Sequence, residues 1–174
     1  MSHMRIHLSV LAAAVGALAL AAGVAQGRPA AVVFCKGSQL AGSFKVVPGS
    51  PGAGNIVYRL TLTNTSAKTC SVTGLPAVQL LGKTGNKLPT HVIPAFRGGL
   101  TAILATLPHG HSTHANARFS PDVPGPGEGM TGPCEATSYA MRITAKGGGT
   151  TTVKITPKTP VCEHGQLQFA AYGK

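Results

Sequence analysis

Three histidines lie within one short segment, at His109, His111 and His114. Imidazole nitrogens that are close together can bind Zn, Cu or Ni. The spacing argues against a shared site, because His111 and His114 project to opposite faces of an extended strand. Nothing in the sequence places a fourth ligand nearby. We therefore expect no cofactor, and we keep an extracytoplasmic metal-binding protein that uses this histidine cluster as the alternative function.

The second set of candidate residues is basic. Arg59, Arg118, Arg142 and Lys154 all fall at outward positions of predicted strands, among threonines. If two or more of those strands are neighbours, these side chains form a flat, basic, threonine-rich face. An ordinary solvated sheet face has the same pattern, so both interpretations stay open at this point. As a functional site, the pattern predicts an anion-binding face.

Carboxylates and nucleophiles in a catalytic arrangement are not evident. Hydrolysis needs a placed pair of carboxylates, or a nucleophile beside a base. Two of the four acids, Asp122 and Glu128, fall in a long loop rich in proline and glycine, and the others, Glu135 and Glu163, each follow a cysteine. The sequence contains no Gly-x-Ser-x-Gly motif. We therefore predict that the protein is not an enzyme.

Sugar binding by ring stacking would need exposed aromatic side chains. The chain has no tryptophan, and most of its eight phenylalanines and tyrosines fall at inward positions of predicted strands. Phe96 and Tyr172 are the two exceptions to that pattern. Core packing is therefore the expected role of the aromatic residues as a group.

Fifteen lysines and arginines oppose four acids, which gives a formal net charge of +11. The basic residues are dispersed, so the charge favours attraction to polyanions in general and does not indicate a particular fold. Outside a cell those polyanions are envelope polymers or anionic lipid headgroups. We expect an anionic cell-envelope polymer or another secreted protein as partner, no nucleic acid, and a monomeric chain.

The first residues have the features of a secretory signal peptide. A basic start that includes Arg5 precedes an apolar run over residues 8–22, and small residues suited to cleavage follow near positions 25–27. A single membrane anchor is the alternative, although the run is shorter than the ~20 residues that a spanning helix needs. We predict a signal peptide over residues 1–27 and one secreted domain over residues 28–174, with no transmembrane segment.

Four cysteines follow this segment, at positions 35, 70, 134 and 162. An even number of cysteines behind a signal peptide predicts two disulfides formed in an oxidising compartment. Three pairings are possible, and the simplest joins sequence neighbours, Cys35 with Cys70 and Cys134 with Cys162. Each would close a loop of about thirty residues and stabilise the fold by on the order of 3 kcal/mol.

The elements that must position these groups are short strands. In residues 56–63, Ile56, Tyr58, Leu60 and Leu62 alternate with polar or smaller residues, which is the period of a strand with one buried face. Similar runs recur along the chain, separated by glycine and proline. The pattern predicts eight or nine strands in an antiparallel, immunoglobulin-like β-sandwich, although the tryptophan of true immunoglobulin domains is absent.

Several of these segments carry a family resemblance: TLTNTS at residues 61–66, TCSV at 69–72, GLP at 74–76 and VQLL at 78–81. With a proline–glycine turn at residues 108–110 and the two later cysteines, they resemble the domain of unknown function 4232 family of secreted actinobacterial proteins. The resemblance extends from Cys35 to the C-terminus. His109 within the turn, and Leu75 where an aromatic residue is expected, depart from the pattern. The resemblance implies export, two disulfides and a β-sandwich, and it implies no activity.

Overall fold

Ten strands form nearly half of the described chain, which covers residues 31–96 and 103–173 of a computed structural model. The predicted signal peptide and its cleavage positions lie outside these residues. The strands are β1 (Leu40–Val46), β2 (Ile56–Asn64), β3 (Cys70–Thr73), β4 (Ala77–Leu81), β5 (His91–Pro94), β6 (Leu104–Leu107), β7 (Ser112–Phe119), β8 (Ser138–Thr144), β9 (Thr150–Thr159) and β10 (Gln166–Phe169).

Helical structure is limited in the described residues to two short turns, Gly37–Gln39 and Cys162–Gly165. Neither is long or apolar enough to cross a membrane. The all-β class that the sequence predicts is therefore confirmed.

Eight strands form one sheet, in the order β4-β8-β9-β1-β2-β7-β10-β5. The neighbours β1 and β9 are parallel, as are β5 and β10, and the other neighbours in this sheet are antiparallel. The prediction of a wholly antiparallel sheet was therefore wrong, and the immunoglobulin-like sandwich is not confirmed. The error arose because strands that are distant in sequence pair here. The alternation of apolar and polar residues within a strand does not indicate which strand it pairs with.

The large sheet curves until it is nearly closed like a barrel. Its two outermost strands are joined through the segment before β5. The backbone N–H of Leu88 donates to the carbonyl of Leu80 at 3.0 Å, and the N–H of Leu80 donates to the Thr90 hydroxyl at 2.9 Å. This segment therefore satisfies the outward backbone groups of Leu80 and covers part of the free edge of β4.

Aromatic rings fill the centre of the fold. Phe44, Tyr58, Phe119 and Phe169 are all buried, and the ring centroids of Phe44 and Tyr58 lie 5.1 Å apart. The Tyr58 hydroxyl donates to the Pro157 carbonyl at 2.8 Å, so its polar atom is satisfied inside the core. The predicted inward face of β2 is confirmed, and the aromatic packing explains why that face is so strictly apolar.

A small second sheet, β3 paired with β6, lies beside the large one. The Cys35–Cys70 disulfide fastens the start of the described chain to β3, and the Cys134–Cys162 disulfide fastens a long loop to the turn before β10. The predicted pairing of sequence neighbours is therefore confirmed.

Asn64, at the end of β2, holds the two sheets together. Its side chain is fully buried, and its amide donates to the carbonyls of Lys68 and Leu107, both at 2.8 Å. Its carbonyl oxygen accepts from the N–H and the hydroxyl of Ser66. All four hydrogen bonds that an asparagine side chain can make are present, so this polar residue is accommodated without an unsatisfied atom.

We predict that Asn64→Ala lowers the free energy of unfolding by about 3 kcal/mol, because buried carbonyls and an N–H would lose their partners. Urea denaturation of the disulfide-bonded protein measures this loss. Asn86→Ala is the matched control, since Asn86 is exposed in a turn and its loss should stay under about 1 kcal/mol. An equal loss in both variants would show that the buried network contributes nothing particular.

Candidate anion-binding face

Besides Lys158 of β9, which lies over the Tyr139 ring, the outer wall of the barrel carries one outward basic side chain on each of five consecutive strands. In sheet order β8-β9-β1-β2-β7, these are Arg142, Lys154, Lys45, Arg59 and Arg118. We call these five residues the basic row. Four of them are the candidates that were identified from the sequence. Lys45 on β1 was not identified, because few other polar residues mark the outward positions of that strand.

The strand registers place the row along an oblique line. Lys45 lies directly opposite Arg59, and Arg118 lies opposite Val57, two residues before Arg59 on β2. With strands about 4.8 Å apart and a rise of about 3.3 Å per residue, each of these steps spans about 5 to 8 Å between Cα atoms.

The basic row continues in the same oblique direction on the other side of β1. Lys45 pairs with Thr156, so Lys154 lies two residues earlier on β9. Lys154 pairs in turn with Ala140, and Arg142 lies two residues beyond it on β8. The charges are thus spread along a line across the wall and are not gathered at one point.

Two asparagines orient the arginines of the row. The Nε of Arg59 donates to Oδ1 of Asn116 at 3.1 Å, and the Nε of Arg118 donates to Oδ1 of Asn55 at 3.2 Å. Each guanidinium has five N–H donors, so the terminal NH₂ groups remain for a ligand. In the described part of the chain, neither arginine forms a salt bridge with a carboxylate.

The histidine cluster predicted from the sequence is a separate feature from the basic row. Nδ1 of His109 lies 3.0 Å from the carbonyl of Ser66, His111 is in the turn before β7, and His114 is on the outer face of β7. Within residues 31–96 and 103–173, these three are not among the groups of three ligand atoms that lie within 4.8 Å of one another. Metal binding by the cluster stays a prediction, which metal analysis of the purified protein tests.

A different set of titratable groups does lie close together, and it was not predicted from the sequence. Nδ1 of His164 lies 3.7 Å from a carboxylate oxygen of Glu128 and 3.7 Å from one of Glu135. The Cys134–Cys162 disulfide brings these segments together. The signal was present in the sequence, since Glu135 adjoins one of these cysteines and His164 lies two residues after the other.

Glu128 fastens the proline- and glycine-rich loop to the turn before β10. Its side chain is 2% exposed, and its carboxylate accepts the N–H groups of Gly125 at 2.6 Å, Glu163 at 2.9 Å and His164. Glu163 and His164 both have φ of 56°, a left-handed conformation that aims their consecutive N–H groups at one anion. The carboxylate is already fully engaged, so we interpret it as a structural anchor.

The two aromatic residues that broke the inward pattern behave differently. Phe96 is 67% exposed, whereas Tyr172 is 5% exposed and belongs to the core. Burial raises the pKa of Tyr172, as expected for a phenol away from water. The prediction of an exposed ring therefore fails for Tyr172 and holds for Phe96.

Comparison with known proteins gives one match. A family model described as Domain of unknown function (DUF4232) matches residues 35–172. The chain belongs to this family. No curated protein and no solved structure matches it.

Membership in the DUF4232 family confirms the resemblance noted from the sequence. The matched region includes both disulfides, the Asn64 network and all five residues of the basic row. The segment TLTNTS, which carries the resemblance most clearly, contains the buried Asn64 and its partner Ser66. The most specific motif of the resemblance thus has a structural role.

We predict that Glu128→Gln destabilises the protein by about 2 kcal/mol at pH 7, because a neutral amide replaces an ionised acceptor of three backbone N–H groups. Burial opposes ionisation of Glu128, but these N–H groups outweigh it and leave its pKa below the usual 4.5. The stabilisation is thus complete above pH 4.5 and is lost as the pH falls through the folded-state pKa.

Urea denaturation of wild type and variant between pH 7 and pH 3 measures this dependence. The difference between them should shrink as the pH falls. Asp122→Asn removes the same charge from an exposed side chain and controls for net charge. A gap between wild type and Glu128→Gln that does not change with pH would contradict the anchoring role.

Proposed function

We propose that the protein is a secreted, non-enzymatic binding module that contacts an anionic polymer of the cell envelope through the basic row. The observation that carries this proposal is the alignment of five outward basic side chains on five adjacent strands. A linear polyanion presents regularly spaced charges, and a line of cations a few ångströms apart can meet several of them at once.

The orientation of the arginines supports the same interpretation. A guanidinium already held by an asparagine loses less conformational freedom when it pairs with a carboxylate or phosphate. Arg59 and Arg118 are held in this way, and their free NH₂ groups suit bidentate contacts with such anions. The outward threonines around them leave the face polar and flat, which fits an extended ligand better than a small one.

Export is the second part of the proposal. Two disulfides fit an extracytoplasmic protein, since such bonds persist in oxidising compartments. Removal of the predicted signal peptide would take away Arg5 and no acid, so the exported chain would keep nearly all of its positive charge. A basic protein outside the cell would then meet the anionic polymers of the envelope directly.

We predict that the double substitution Arg59→Gln, Arg118→Gln weakens binding to purified anionic envelope polymer by about 30-fold in low salt, since each basic residue at a polyanionic surface contributes about 1 kcal/mol. Isothermal titration calorimetry measures the affinities. Binding of the wild type should also weaken as salt is added, because exposed charges are screened.

The matched control is Lys68→Gln, Lys83→Gln, which removes the same charge from two exposed turns outside the row. If both double variants lose affinity equally, binding reflects net charge and the basic row is not the site. If the wild type shows no salt-sensitive binding at all, the proposed function is wrong.

We also predict that the protein recovered from a culture supernatant begins close to residues 25–27. Its intact mass should be lower than that of the reduced chain by two hydrogens for each of the two disulfides. Mass spectrometry before and after reduction measures both features. Recovery of the uncleaved chain from the membrane fraction would favour the anchor alternative.

A further inference from the structure

A groove opens at the Arg118 end of the basic row. It lies on the outer face where β7, β10 and the segment after β5 are adjacent, and its volume is about 500 Å³. Arg118 lies directly opposite Gln168 across the β7–β10 pair, so their side chains share this face. The groove therefore continues the basic row and is not a separate feature.

The apolar part of the groove lining combines an aromatic ring with small side chains. Phe96 is 67% exposed, and Ala95 and Ala170 line the same groove. The N–H of Ala95 donates to the carbonyl of Phe169 at 2.8 Å, which fixes the backbone next to Phe96. An exposed aromatic ring with small side chains in the same groove leaves room for the apolar face of another ring to stack on it.

Three of the residues that line the groove are polar. Arg118 provides terminal NH₂ groups, because its Nε is already bonded to Asn55. Asn116 accepts from Arg59 through its carbonyl oxygen, which leaves its NH₂ group to donate. Gln168 adds a second amide. Amides can both donate to and accept from hydroxyl groups, and a guanidinium binds a carboxylate in a bidentate manner.

We infer that this groove binds one residue of an acidic polysaccharide, a sugar ring that carries a carboxylate. The apolar face of the ring stacks on Phe96, its carboxylate pairs with Arg118, and its hydroxyls bond to the amides of Asn116 and Gln168. This inference rests on the proposed function and names the chemical class of its polymer. A polyphosphate would use the arginine but would leave the aromatic ring without a role, so the groove favours the sugar.

The test compares three soluble polymers, polygalacturonate, polyphosphate and neutral dextran, by calorimetry on the purified protein. We expect Phe96→Ala to weaken polygalacturonate binding at least about fivefold and polyphosphate binding less than about twofold, since stacking contributes around 1 kcal/mol. Met130→Ala, which removes another highly exposed apolar side chain, is the control and should change neither. Dextran should bind far more weakly than polygalacturonate.

The outcomes separate the two ideas. If the wild type binds polygalacturonate but Phe96→Ala has no effect, the groove inference is overturned and the basic row remains supported. The same holds if polyphosphate binds more tightly than polygalacturonate. If neither polyanion binds, the proposed function fails and the inference fails with it. Phe96 is exposed, so its substitution leaves the core intact and the comparison interpretable.

Discussion

The buried side chain of Asn64 is the constraint on which the rest of the structure depends. Its amide group connects the end of β2, the following turn and the end of β6. A polar group this deeply buried is tolerated only when each of its hydrogen bonds is made. The loss of one partner would leave a polar atom without a hydrogen bond in the low-dielectric interior. The arrangement therefore specifies one position of the small sheet against the large one.

Local patterning was enough to predict much of the chain. The strict alternation in β2 predicted its buried face, because a period of two has one interpretation when the apolar set is unbroken. Of the three disulfide pairings that the sequence allows, the simplest, which joins sequence neighbours, is the one present. These features depend on residues close in sequence, and short-range regularity is what a single sequence displays most clearly.

The long-range arrangement could not be predicted in the same way. The parallel pairing of β9 with β1 joins segments more than a hundred residues apart. The residues of neither strand indicate which other strand it pairs with. The basic row depends on that pairing, because it brings Lys154 beside the strand of Lys45. Four of the five cations could therefore be identified from the sequence, but not the order of their strands in the sheet. Nothing in the sequence indicated that Lys45 belongs with them. The Glu128 anchor was missed for the same reason, since it forms across a disulfide.

The Thr90 hydroxyl that accepts from Leu80 has a consequence for solubility. A free edge strand offers unpaired N–H and carbonyl groups to any extended chain that approaches it, and this is a common start of β-aggregation. Here the outward N–H and carbonyl of Leu80, on the edge of β4, are already bonded to the protein's own segment before β5. The prolines at positions 89 and 94 add to this protection, because proline has no N–H with which to extend a ladder. An edge whose backbone groups are already bonded within the chain offers fewer free partners to the strand of a second copy.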